Sequence, residues 1–338
     1  MQEAIQEAIQ IALSPIMSDI FSGCETAEEI KKRYVDLAKE VHPDKSKDPQ
    51  ASSAFSNLLK MYDLAIDELK SGVWAGHGKN SALIRGSDAS MVVRYLKRRT
   101  GDLGEEFITS RSLTCVIPRE MAAAGIKIID NIHLIKDTSI KKNVIKYLPM
   151  LSKKMLGMDD KELVTIGRDT ATAALEDVVS AFGPLDPRHT AWILSSLYDF
   201  CCFMQYQKMV HCALTPQNVF IDTKNHSIQV IGGWWFFRPR HARLEVIPNW
   251  IHENVLPGAY KDKRASIRLD LEAVKALGRY CLAGVKSVPR SLDIWTSTAS
   301  GDDAVLEYQG WEKARSDAFG MRKFVDFGNV ASDAYKEK

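Results

Sequence analysis

Three sets of side chains in this 338-residue chain have types and spacing suited to chemistry. In His42-Pro43-Asp44 an imidazole and a carboxylate flank a proline, which lacks an amide hydrogen and biases His42 towards an extended conformation. The cations Lys31, Lys32, Arg33 and Lys39 precede it, and charge of that kind mainly sets encounter rate and orientation with a partner. The second set is Val210 to Ile221, with His211, Thr215 and Asn218 as its polar members. The third is Arg238, Arg240, Arg243, Lys261, Lys263, Arg264 and Arg268, set against Glu245, Glu253 and Asp262. A basic surface there could hold an acidic protein, a phosphorylated peptide or nucleic acid; a solvated loop is the alternative.

The elements around the tripeptide follow from periodicity. Ala27, Ile30, Tyr34, Leu37, Ala38 and Val41 recur at three- and four-residue steps, which predicts a helix over 27–41 with one apolar face. The four cations lie mostly off that stripe. Thr26 and Glu25, with Glu28 and Glu29, supply an acceptor and negative charge where a helix begins. Phe55, Leu58, Leu59, Tyr62, Ala65, Ile66 and Leu69 form a second stripe over 51–69. With only Lys45 to Gln50 between them, the two helices should pack as an antiparallel hairpin. Residues 2–22 read as helical, interrupted at Pro15.

By chance His-Pro-Asp should occur in roughly one chain of this length in fifty, so the flanks decide. The run from residue 25 to Lys45, continued by Ala54-Phe55 and Tyr62, resembles the J-domain family along its length. The aromatic opening usual in that family has Ile20-Phe21 as its nearest equivalent. The resemblance implies that His42, Pro43 and Asp44 trigger ATP hydrolysis in a DnaK-type chaperone, with Lys31, Lys32, Arg33 and Lys39 as docking residues. A helix-loop-helix that merely caps the chain is the plainer reading.

Hydrophobic content of 45% and charged content of 26% are ordinary for globular chains and argue against large-scale disorder. The length suggests two or three domains. A net charge of +2 names no partner. The six cysteines, with Cys201-Cys202 adjacent, show neither metal spacing nor a secreted framework, so reduced thiols are expected. No apolar run reaches the length of a bilayer span, and the expectation is a cytoplasmic protein with no membrane partner. Residues 71–81, rich in glycine and small polar side chains, read as a linker between an N-terminal unit, 1–70, and the remainder.

Beyond the linker, Ser90 to Leu96, Ile126 to Ile135 and Ile140 to Met150 read as strands and Leu103 to Ser112 as a helix. Helix-rich sequence follows, most clearly Thr190 to Met209. A strand-rich start and a helical remainder predict an α+β unit. The segment Val210 to Ile221 resembles the protein-kinase catalytic loop, His-Arg-Asp-Leu-Lys-Pro-x-Asn, with His211, Leu214, Pro216 and Asn218 in register. Ser227 to Ile231 supplies the following strand, and Arg268 to Gly278 looks like the helix whose aspartate, here Asp270, anchors that loop. The resemblance implies a small strand-rich lobe, 82–150, and a larger helical lobe, 151–338, in which Trp295 and Trp311 complete the packing. The basic set then corresponds to the activation loop.

Phosphoryl transfer needs a carboxylate for the accepting hydroxyl, a lysine for the phosphate and a metal-binding aspartate. Ala213 and Thr215 stand at the first two loop positions, and the metal-binding Asp-Phe-Gly falls on Gly232-Gly233-Trp234. Only Gly86 marks the glycine-rich loop. The strand lysine is either Arg94 or Lys97, with Glu105 or Glu106 as its partner. A literal Asp326-Phe327-Gly328 lies too far along to serve. The expectation is a pseudokinase that binds rather than catalyses, with His211 orienting backbone. No cofactor or metal is expected, though the resemblance leaves room for residual ATP binding. The aromatic run Trp234-Trp235-Phe236-Phe237 is either an exposed patch or packing across the former metal site.

The whole then reads as a co-chaperone adaptor: the N-terminal module recruits and stimulates a DnaK-type chaperone, and the larger domain chooses an unknown client. Nucleic acid is a partner that no motif supports. The alternatives are an atypical kinase-fold transferase that uses residues such as Asp222, and a decoy that captures the chaperone without stimulating it.

Overall fold

The computed structural model describes residues 2–14, 17–21, 23–24, 26–46, 48–70, 81–85, 90–135, 137–158, 160–321, 325–328 and 333–335. Gly86, Glu25 and all of the expected linker except Ser81 lie outside them. The chain divides into two compact units: Met1–Arg99 with Phe107–Thr109 and Met155–Leu163, and Thr100–Glu106 with Ser110–Lys154 and Val164–Lys338.

The first unit opens with four helices, α1 (Gln2–Ala12), α2 (Met17–Ile20), α3 (Ala27–Val41) and α4 (Ala51–Lys70). Thr26 starts α3 through a capping box: its side chain accepts the Glu29 N–H, and the Glu29 carboxylate accepts the Thr26 N–H at 3.0 Å. The stripes meet as periodicity requires. Tyr34 stacks on Tyr62 at 4.4 Å and His42 meets Phe55 at 5.1 Å, so α3 and α4 run antiparallel. Ile9, Ile20, Phe21, Ile30, Leu37, Val41, Leu58 and Ala65 close one apolar core among the four. An antiparallel hairpin follows, β1 (Ser81–Arg85) and β2 (Ser90–Arg94), in register from Ser81 opposite Arg94 to Arg85 opposite Ser90.

Five further strands, β3 (Lys97–Gly101), β4 (Gly104–Ile108), β5 (Ser112–Pro118), β6 (Met150–Met158) and β7 (Lys161–Gly167), form a sheet in the order β3-β4-β5-β7-β6. The helix expected over 103–112 is therefore corrected to strand and turn. Gly104 sits at φ +153°, and a side chain there would come within 2.0 Å of the Val116 carbonyl, so Gly104 lets β4 approach β5.

Two strand expectations are also corrected to helix. Residues 126–135 belong largely to α5 (Arg119–Ile132), which buries Ala122, Ile126, Ile129 and Ile132 on one face. Residues 140–150 begin in α6 (Thr138–Val144), where Asp137 caps the amides of Ser139 and Ile140, and continue in a 3₁₀ turn, Ile145–Tyr147. After β7 come β8 (Ala173–Ala174), α7 (Leu175–Phe182) and α8 (Pro187–Tyr206). The short strands β9 (Met209–Val210), β10 (Val219–Asp222), β11 (Ser227–Val230) and β12 (Arg238–Pro239) pair as β8-β10-β11 and β9-β12. The chain then runs through α9 (Asn249–Asn254), α10 (Ile267–Leu282), α11 (Arg290–Ser297) and α12 (Ala304–Phe319). Buried Leu194, Leu197 and Phe200 of α8 and Leu271, Val274 and Leu277 of α10 build the core of this part. A mixed helix and sheet chain results, with an N-terminal helical region, then a strand-rich and a helical lobe.

All six cysteines are free thiols. Burial pushes Cys202 up to about 12 and Cys201 well above its ordinary value, which keeps both protonated. Among the described residues no helix is long and apolar enough to cross a membrane.

Candidate functional site

In the first unit the tripeptide closes α3. His42 takes φ −60° and ψ 128°, the extended geometry that a following proline favours, and its carbonyl accepts the amides of Lys45 and Ser46, both at 2.9 Å. The Asp44 amide donates to His42 Nδ1 at 3.2 Å, which assigns the ring proton to Nε2. The Asp44 carboxylate stands 3.7 Å from the same nitrogen and is 87% exposed. A groove of about 370 Å³ runs beside the loop, lined among others by Val35, Ala38, Lys39, His42, Asp44 and Phe55.

The four cations do not behave alike. Lys31, Lys32 and Lys39 are exposed, and Lys39 pairs with Asp36 at 3.5 Å. Lys32, Val35, Asp36 and Lys39 follow helical spacing, so this charge flanks the groove. Arg33 turns inward instead, and its Nε donates to the Ile20 carbonyl at 3.2 Å, tying the end of α2 to α3.

In the second unit the loop after β9 is held from below. Asp270, fully buried on α10, accepts the His211 amide at 2.7 Å and the Cys212 amide at 2.8 Å. Burial pushes its carboxyl up to about 7 against the pull of those two N–H groups. The His211 imidazole lies among Phe200 and Trp234, 4.9 Å from the Trp234 ring, and burial drives it down to about 3, so it stays neutral. Thr215 is buried and its carbonyl accepts the Asn218 and Val219 amides, both at 3.1 Å.

The Asn218 side chain donates to the Ala213 carbonyl at 3.0 Å. Gly232 lies against it: a Cβ there would be 2.1 Å from Asn218 Oδ1. Gly233 takes the left-handed φ of +80° that suits glycine. The aromatic run forms a buried 3₁₀ turn, Trp234–Phe236, followed by buried Phe237, and Trp234 Nε1 donates to the Val230 carbonyl at 2.9 Å. Helix α5 packs on this turn so closely that a Cβ at Gly125 would meet the Trp235 amide nitrogen at 3.2 Å. Packing, not an exposed patch, is thus what the run does.

Arg94 lies on β2, Lys97 on β3, and both Glu105 and Glu106 on strand β4 rather than on a helix. The third strand of the sheet in chain order is β5, Ser-Leu-Thr-Cys-Val-Ile-Pro, which has no lysine, and the inward positions of the following helix α5 are Ala122, Gly125, Ile126 and Ile129. Asp222 caps a turn, accepting the Lys224 and Asn225 amides at 2.9 and 3.0 Å. Phe327 packs on His189 at 4.3 Å, and the Gly328 carbonyl accepts the Thr223 hydroxyl at 2.6 Å.

The basic set divides too. Arg238 donates to the Phe237 carbonyl at 2.8 Å and pairs with Glu245 at 3.6 Å. Arg240, Arg243, Lys261, Lys263 and Arg264 are exposed. A short backbone ladder gathers them: Leu244 donates to Lys263 and Ala265 to Ala242, both at 2.8 Å, with Arg243 directly opposite Arg264. Sequence spacing gave no sign of that pairing. Among the described residues no group of His, Cys, Asp and Glu could hold a metal ion.

Residues 22–71 match the DnaJ domain family model. Over 53 residues the chain is 38% identical to DnaJ protein homolog 1 of Drosophila melanogaster, covering 16% of each chain. Over 43 residues it is 54% identical to the chaperone protein DnaJ of Hydrogenobacter thermophilus, covering 13% of this chain and 12% of that one. The chain thus spans only about a sixth or less of the length of these relatives. Among solved structures it is similar to vaccinia related kinase 3, at 12% identity over 67% of this chain and 91% of that one, with a TM-score of 0.46.

Proposed function

We propose that the chain is a co-chaperone adaptor: the N-terminal module recruits a DnaK-type chaperone and stimulates its ATPase, and a kinase-like domain without phosphotransfer activity selects the client, in a cytoplasm. The observation that carries the first half is the tripeptide loop itself. His42 and Asp44 sit at the rim of an open groove, flanked by exposed Lys31, Lys32 and Lys39, within a match to the DnaJ domain. Arg33 has a share in holding the helices together and is the weakest of the proposed docking residues.

The second half is supported by what occupies the loop of the second unit. Ala213, Thr215 and Gly232 supply no carboxylate or lysine, and β5 offers no lysine. The anchoring of His211 and Cys212 by Asp270 keeps the loop in shape without equipping it for phosphoryl transfer. Arg240, Arg243, Lys261, Lys263 and Arg264 are the residues we assign to an acidic client or partner.

The test is the steady-state ATPase rate of a DnaK-type chaperone with and without the full chain and its His42→Gln and Asp44→Asn forms. Stimulation lost in both variants is expected, with their circular dichroism unchanged. Absence of stimulation by the wild-type chain, with binding retained, would instead make the module a decoy, and transfer of labelled phosphate or nucleotide by the chain alone would overturn the non-catalytic reading.

A further inference from the structure

Helix α8 has two faces. One carries Ile193, Leu194, Leu197, Cys201 and Met204, all buried in the core. The other, at positions 188, 192, 195, 196 and 199, follows the same helical spacing with Arg188, Trp192, Ser195, Ser196 and Asp199, and it faces a cavity of about 930 Å³ within the second unit. Lys146 and Tyr147 of the 3₁₀ turn and Tyr308, Arg315 and Phe319 of α12 form further walls. Neither His211, Asn218 nor Gly232 lines it.

The charge of this cavity is unbalanced. Its one acidic side chain among the described residues, Asp199, accepts the Tyr147 hydroxyl at 2.8 Å, and burial together with Asp199 pushes that phenol far up, so it remains the donor. Arg315 is matched by Glu312, bonded through Nε and Nη2 at 3.3 and 3.2 Å. Lys146 rests over the Tyr147 ring at 4.8 Å. Among the described residues neither Lys146 nor Arg188 has a carboxylate partner. Burial lowers His226, which stacks on Trp192 at 4.9 Å and adds no charge near neutral pH.

A half-enclosed concavity whose exposed Lys146 and Arg188 outnumber the one carboxylate left without a cation, that of Asp199, and whose walls include Trp192, Tyr147 and Phe319, suits one kind of occupant. We infer that this cavity binds a small flat aromatic molecule carrying an anionic carboxylate or phosphate group, with Arg188 and Lys146 taking the anion and Trp192 and Phe319 the ring. The volume is of the order that encloses such ligands. The inference is independent of the co-chaperone reading, because no residue of the tripeptide loop or of the anchored loop takes part.

The test is isothermal titration of 1-naphthyl phosphate into the full chain. Saturable one-to-one binding is expected, weakened about tenfold in each of Arg188→Gln and Lys146→Gln, the loss of one charge-assisted contact. Lys313→Gln, an exposed cation on α12 outside the cavity, should bind as the wild type does. No saturable binding, equal affinity in the two cavity variants and the wild type, or an equal loss in Lys313→Gln would each overturn the assignment. Circular dichroism and chaperone stimulation measured on the same variants are expected to be unchanged, which keeps failure of this site separate from failure of the adaptor reading.

Discussion

The Oδ2 atom of Asp270 takes the backbone N–H of His211 at 2.7 Å, across 59 residues of sequence and inside a site with no solvent access. Its other oxygen takes the next amide, that of Cys212, at 2.8 Å. One side chain on α10 thereby fixes the start of the loop that runs to Asn218, at a position where Cys212 holds the left-handed φ of 64°. A non-glycine residue in that region is strained, so the loop needs an external hold.

Replacing Asp270 by alanine should leave two buried amides without an acceptor, at about 1–3 kcal/mol each. Asp270→Asn keeps one acceptor oxygen and removes the cost of a buried carboxylate whose burial already pushes it up to about 7. The asparagine form should therefore lose about half as much. Urea midpoints at a common m-value measure both. Equal losses in the two variants would mean that the single acceptor oxygen of asparagine holds neither amide, because asparagine leaves no cavity.

The neutral His211 makes stability depend on pH with a definite sign. Its imidazole is lowered to about 3 in the folded chain, against about 6.5 unfolded. As pH falls below about 6.5 the unfolded chain takes up a proton that the folded chain refuses, so stability is present above that pH and is lost on the way down to about 3. Asp270, raised from 3.8 to about 7, works the other way: the folded chain holds a proton between these values that the unfolded chain releases, so its contribution falls as pH rises through them. His211→Phe, which keeps a ring against Phe200 and Trp234, isolates the first effect. The stability of wild type minus variant should fall with acidification by up to about 1.4 kcal/mol per pH unit. A difference that is flat from pH 7 to 4 would refute the buried neutral state.

The helices of the first unit were legible because their apolar stripes are strict and their ends are marked. Ala27–Val41 begins at a capping box and stops at Pro43, and the run after Gln50 has no breaker until the glycines beyond 71. The errors lie where β-branched content and period disagreed. Ile126, Ile128, Ile129 and Ile132 suggest a strand by propensity, yet the buried set is spaced by three, and packing against the Trp234–Phe236 turn decided for helix. Glu105, Glu106 and Phe107 carry helix-forming character, but the Gly101-Asp102-Leu103-Gly104 turn converts them to the second strand of a hairpin. The Asp270 anchor was legible through its resemblance. Arg243 opposite Arg264 was not, because nothing local joins positions 21 residues apart.

Thr26 offers the cleanest test of the first unit. Thr26→Ala removes the acceptor of the Glu29 amide and half of the capping box, at about 1 kcal/mol. Thermal unfolding of the helical module should shift down, while chaperone stimulation well below the midpoint should stay, since Thr26 lies at the end of α3 remote from His42. Thr26→Asp should recover most of the loss. A variant that lost stimulation at full helicity would place Thr26 in the docking surface instead.

Gly232 lies against the Asn218 side chain, and the structure defines what adding a side chain there would do. A Cβ there meets Asn218 Oδ1 at 2.1 Å and Asn218 Cα at 3.2 Å. Gly232→Ala must therefore push the Asn218 side chain away and break its bond to the Ala213 carbonyl, a combination of overpacking and a lost buried hydrogen bond worth about 1–3 kcal/mol. Asn218→Ala alone leaves that carbonyl unpaired at about 1–2 kcal/mol. In the double variant the clash with Oδ1 is gone, and only the milder contact with the Asn218 backbone remains. The two costs should then combine to clearly less than their sum, with a coupling of about 1 kcal/mol in a double-mutant cycle of urea unfolding. Strict additivity would show that the glycine is required by its own backbone, and a double variant as stable as Asn218→Ala alone would show that Asn218 is its sole constraint.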